Sequence, residues 1–158
     1  ISLDRQNISA LVFLRGFEAS VAALAEPPYA GVGFLKMSLR SPSSPAAVLL
    51  DQYNLGNLNK NDGGFTAAKI LSEFGWPGLI GLIYFLSRSV PMLLYTLKLY
   101  SHDNATKHDS IFTACMVALL MQLFVRGTGY LGPFLILAAL AYYFRPVFNG
   151  SIITHSHD

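Results

Sequence analysis

Ile8, Leu11, Val12, Leu14, Phe17, Val21 and Leu24 recur at three- and four-residue spacing, which predicts an amphipathic helix over 7–25. Asn7 or Ser9 can cap its start, and Pro27-Pro28 stops it. Arg15 and Glu18 give it an i,i+3 charged pair, so it reads as an interfacial helix and a poor span. From 29 to 64 the apolar period is lost. Gly31-Val32-Gly33-Phe34 marks a tight backbone passage, Ser41-Pro42-Ser43-Ser44-Pro45 a turn cluster, 46–50 a short helix, and the Asn- and Gly-rich stretch to Gly64 a polar loop.

Apolar runs dominate after Phe65. A short helix over 65–74 carries Lys69 and Glu73 and ends at Gly75, and Pro77 suits the first turn of the next helix. Residues 77–97, about 21 of them and roughly 31 Å long, are enough to cross a bilayer. A span over 65–87 is the alternative, but it would bury Lys69 and Glu73. Arg88 should face a bundle or snorkel. Asp109 or Ser110 caps a second span at 110–125, Arg126-Gly127-Thr128-Gly129-Tyr130 makes a turn, and a third span covers 131–144 before a polar tail, 145–158. Both later spans lie at or below the short end of the spanning range, so the bilayer thins or the turn dips into a protein-lined cavity.

Composition supports this division. The chain is 53% hydrophobic and 13% charged, against roughly a quarter charged in soluble domains. The fold class expected is an all-α integral membrane protein, the C-terminal part of a polytopic bundle. An external loop region, 1–64, precedes a membrane region, 65–158, with an interfacial helix at 65–74. Ile1 begins inside a polar loop with no signal-peptide pattern, which fits a portion of a larger protein. Lys98, Lys107 and Arg145 put the connector and tail on the cytoplasmic side, and the long first loop outside. A net charge of +2 without clustering excludes a nucleic-acid stripe. The single Cys115 allows no intrachain disulfide.

Candidate chemistry lies in the loops. Charged groups at the lip of a bilayer are expensive unless they handle a charged substrate, and the loop cations suit an anionic lipid head group. Arg5, Arg15, Arg40 and Arg126 could each fork onto phosphate oxygens. Arg15 has the alternative of pairing with Glu18, Arg40 that of a solvated loop charge, and Arg126 that of snorkelling. Asp62 is an acceptor-activating carboxylate or a turn residue before Gly63-Gly64, and Lys69 binds substrate or simply pairs with Glu73 at i,i+4. His155 and His157 lack further metal-ligating partners, and the Asn-x-Ser/Thr sites at Asn7, Asn104 and Asn149 fall on opposite sides and read as chance.

Taken together, Arg5 spaced by ten residues from Gly16, Pro-Tyr-Ala-Gly-Val-Gly-Phe at 28–34, Ala-Lys-Ile-Leu-Ser-Glu-Phe-Gly at 68–75 and Gly-Leu-Ile-Gly-Leu at 78–82 make the chain resemble the O-antigen polymerase and O-antigen ligase superfamily. The resemblance implies a multi-pass protein of the bacterial inner membrane, acting on undecaprenyl-diphosphate-linked glycan, with membrane lipid and a chain-length regulator as partners. Read beside the resemblance, the residues themselves nominate Arg5 and Asp62 as catalytic and Arg15, Gly16, Arg40, Lys69 and Arg126 as substrate-binding. Ligases of the superfamily carry His-Asn just before the helix matching 65–74. Here that place reads Asn61-Asp62-Gly63-Gly64, which favours a polymerase. No cofactor or metal is implied, because the loop lacks a carboxylate cluster and arginines can stabilise a leaving diphosphate. The alternatives are the ligase, a flippase or exporter component for lipid-linked oligosaccharide, and a membrane scaffold segment.

Overall fold

The computed structural model describes residues 7–40, 44–101, 106–127, 129–130 and 132–146. These residues are helical, without strands: α1 (Ile8–Ala25), α2 (Pro45–Gln52), α3 (Thr66–Ser101), α4 (Lys107–Phe124) and α5 (Pro133–Tyr143), with a 3₁₀ turn at Met37–Arg40. α1 packs on α3 and α2, α3 on α4, and α4 on α5. Arg5, the 102–105 part of the connector with Asn104, and the tail from 147, with Asn149, His155 and His157, lie outside the described residues.

Local chemistry sets the helix starts. The Asn7 side chain accepts from the amides of Ser9 and Ala10 and opens α1. Ser44 caps α2 ahead of Pro45, and Glu18 of α1 reaches across to accept from Ala46 N at 3.2 Å. That contact supplies an anion at a helix N-terminus and takes Glu18 away from Arg15, so the i,i+3 pair is not formed. α4 begins one turn earlier than expected. Thr106 is its N-cap, and Asp109 sits at N3 to complete a capping box.

The helix expected at 65–74 and the run from 77 appear as α3, broken at Gly75, whose φ of 53° and ψ of −131° are non-helical. The helix end expected at Gly75 therefore matches the backbone. Pro77 has no N–H to give the carbonyl of Glu73. The loop before α2 fills the gap: Gly33 N donates to Glu73 O at 2.9 Å, and Val32 N to Ser72 O at 3.2 Å. Trp76 N donates in turn to Tyr29 O at 3.0 Å, and its indole Nε1 to Leu24 O at 3.1 Å. The two chains lie so close that a Cβ on Gly31 would overlap the Glu73 carbonyl, and one on Gly75 the Tyr29 carbonyl. Only glycine fits either place.

The faces of α1 differ from the periodicity reading. Its buried side is Val12, Arg15, Gly16, Ala19, Ser20 and Ala23, while Phe13, Leu14, Phe17 and Val21 face outward. Small residues let α1 approach α3 closely, and the large apolar ones are left for other surroundings. Ile80, Ile83 and Tyr84 on α3 and Ile136 on α5 are also exposed, a distribution that soluble monomers avoid. Among the described residues two helices are long and apolar enough to cross a membrane, Ile8–Ala25 and Thr66–Tyr100. The first was expected to lie at the interface. α5 has 11 residues, about 16 Å of helix, short of the ~17 residues a span requires; the third span expected at 131–144 is not of spanning length.

Candidate functional site

Three charged side chains are buried at the end of the bundle where α1, the first part of α3 and the loops meet. Arg15 is 2% exposed, Lys69 4% and Glu73 0%. Each one ties a loop down through its backbone. Arg15 donates to Gly56 O at 2.8 Å and to Leu58 O, fixing the Asn-rich loop from α1. Beside it Gly16 packs against the carbonyl of Gly63, where a Cβ would overlap that oxygen. Lys69 Nζ donates to Asn61 O at 2.7 Å and to Asp62 Oδ1 at 3.2 Å. Its ion pair with Glu73, one turn along α3, is at 4.0 Å.

Glu73 closes the arrangement. It accepts from Leu35 N at 3.0 Å, from Met37 N at 3.4 Å and from the Tyr130 hydroxyl at 3.0 Å. A buried carboxylate is tolerable only when paired and hydrogen-bonded, and here four groups from three segments meet that need. Burial first, then the neighbouring charge of Glu73 and its hydrogen bond, push the Tyr130 phenol well above its ordinary value. It therefore acts as a neutral donor. The Tyr130 ring stacks on Phe34 with centroids 5.5 Å apart, lies 6.3 Å from Phe74, and has Lys69 Nζ 5.5 Å from its centroid.

The turn after α4 crosses the same end, with Gly127 N donating to Gly64 O at 3.2 Å and Gly129 lying against Asp62 and Lys69. Asp62, Lys69 and the backbone of the Arg126 turn are thus brought together. Asp62 remains 39% exposed at its side chain, and Arg126 is exposed, with no ion pair among the described residues. Arg15 and Gly16 sit one layer beneath, with both guanidinium branches of Arg15 bonded to carbonyls. Lys69 is likewise mostly enclosed and reaches the surface through Asp62. The backbone of Arg40 ends the 3₁₀ turn beside the Glu73-bound loop.

Sequence reasoning weighed Glu73 only as a partner for Lys69 and passed over Tyr130. Nothing local marks either one, since the Tyr130–Glu73 bond joins residues 57 apart in the chain. The glycines at 31 and 33 were a usable signal, because they announced a close backbone approach without naming what was approached. Chemically, the surface that results offers the partly exposed Asp62 carboxylate beside the backbone of the Arg126 turn and a ring cluster of Phe34, Phe74 and Tyr130. Among the described residues there is no group of three or more His, Cys, Asp or Glu able to hold a metal. Comparison with protein-family models, with curated proteins and with solved structures finds no match.

Proposed function

We propose that the chain belongs to a multi-pass glycosyltransferase of the bacterial inner membrane, a polymerase that lengthens undecaprenyl-diphosphate-linked glycan at the outer face. The observation that carries this reading is the juxtaposition of partly exposed Asp62, held by Lys69, with the Arg126 turn, on a polar platform capping helices with lipid-compatible outer faces. The family-like segments at 28–34 and 68–75 also support it, because they are the two that interlock at the α3 break.

In the reaction, the anomeric C–O bond to the diphosphate breaks and a new C–O bond forms to a hydroxyl of the acceptor repeat. The hydroxyl proton passes to Asp62, and the electron pair leaves with the lipid diphosphate. Arg5, Arg40 and Arg126 would face the negative charge gathering on that leaving group, commonly the largest source of catalysis. Lys69 orients Asp62, while Arg15 and Gly16 hold the loop that carries it. A chain-length regulator would act as partner protein.

The test is complementation of a polymerase-null strain with the complete protein. Asp62→Asn is expected to abolish long polysaccharide while the protein still accumulates in the membrane, and Arg5→Ala to reduce chain length and yield. Normal polysaccharide from both variants would overturn the proposal.

A further inference from the structure

A second arrangement lies away from the loop platform, on the membrane-facing part of the bundle. The second half of α3 lines a groove of about 600 Å³ together with α4 and α5, within the roughly 300–1,000 Å³ range of small-molecule sites. Its walls include Phe85, Met92, Met116 and Leu119, and Arg88 and Arg145 line it as well. Neither arginine has an ion pair among the described residues. Arg145 lies over the Tyr142 ring with its guanidinium carbon 4.8 Å from the centroid, which holds its planar face in place.

Depth makes these charges informative. Arg88 is twelve residues beyond Trp76, about 18 Å along the helix axis, and Arg145 follows a helix of comparable length. Given the reading that α3 crosses a bilayer with Trp76 near one surface, both guanidinia fall inside or at the far rim of a hydrocarbon layer about 30 Å thick. Cations at such a level require a counter-charge, and no carboxylate among the described residues provides it. A phosphate matches two guanidinia through forked hydrogen bonds. The apolar walls beside them match a hydrocarbon chain, for which a free phosphate would have no use.

We infer that this groove is a binding site for an anionic phospholipid of the surrounding bilayer, its phosphate between Arg88 and Arg145 and an acyl chain along Phe85, Met92 and Met116. The site uses none of the residues of the loop platform, so it stands or falls apart from the glycosyl-transfer reading.

The experiment is native mass spectrometry of the intact protein released from mixed micelles containing phosphatidylglycerol and phosphatidylcholine in equal amounts. Two cations near a lipid phosphate predict retention favouring phosphatidylglycerol by roughly tenfold or more. The paired substitution Arg88→Gln and Arg145→Gln should bring that ratio to about one, while Met92→Trp, which fills the groove from a half-buried position and keeps both charges, should lower phosphatidylglycerol retention. Equal retention of the two lipids by the unaltered protein would overturn the proposal. So would a preference that survives both variants, or release of the bound lipid by inorganic phosphate alone, which would mark a simple anion site.

Discussion

A carboxylate without solvent contact survives in an apolar bundle only when its lone pairs are filled, and Glu73 fills them with two amides, a phenol and the Lys69 ammonium. Glu73→Ala would leave Lys69 buried with Asp62 as its remaining counter-charge and would orphan the amides of Leu35 and Met37. The expected loss is about 3–5 kcal/mol, visible as a large drop in the unfolding temperature of the detergent-solubilised protein. Glu73→Gln keeps the acceptor oxygen and should fall between. Tyr130→Phe removes one hydrogen bond to a charged group, worth about 1.5–3 kcal/mol. It also has a pH signature. Because the folded phenol is held above its ordinary value, its contribution is intact below the unfolded tyrosine value near 10 and is lost progressively as the pH rises from there towards the folded value. Stability measured from pH 8 upward should therefore decline less steeply in Tyr130→Phe than in the unaltered protein; equal slopes would remove Tyr130 from the network.

At the scale of the elements, the break in α3 decides how the polar end is built. Pro77 withholds one amide, Gly75 turns the chain out of helical geometry, and the 28–34 loop supplies the amides of Val32 and Gly33 in compensation. Gly75→Ala would combine a strained positive φ, of order 1–3 kcal/mol, with a clash on the Tyr29 carbonyl. Hydrogen exchange should then quicken at Val32, Gly33 and Trp76 while the amides of α4 keep their protection; unchanged exchange at Val32 would contradict the interlock. Much of this was readable from sequence. Gly-Trp-Pro marked the break and Pro27-Pro28 the end of α1, because punctuation of this kind acts locally. The buried face of α1 was not readable, since periodicity reports where large apolar residues fall and cannot say whether their surroundings are protein or lipid. Here α1 turns Arg15 and its small residues toward α3, and Phe17 outward.

Among the described residues, three of the four buried charged side chains share one end of the bundle, the fourth being Asp109 in the first turn of α4. Arg15, Lys69 and Glu73 gather under the loops, while α3 and α5 present Ile80, Ile83, Tyr84 and Ile136 to their surroundings. The candidate carboxylate was legible in the sequence as an Asp before two glycines. Its setting was not, because Lys69, the Arg126 turn and Tyr130 reach it from separate elements. That setting gives Asp62 its proposed part in deprotonating an acceptor sugar, and it is tested most directly by reconstitution. The intact protein in proteoliposomes would be supplied with labelled undecaprenyl-diphosphate oligosaccharide repeats and the products sized on a gel. The account predicts a ladder of lengthened lipid-linked glycan from the unaltered protein and none from Asp62→Asn of equal thermal stability. Movement of the unextended repeat across the bilayer with no ladder, or a ladder of the same extent from Asp62→Asn, would contradict it.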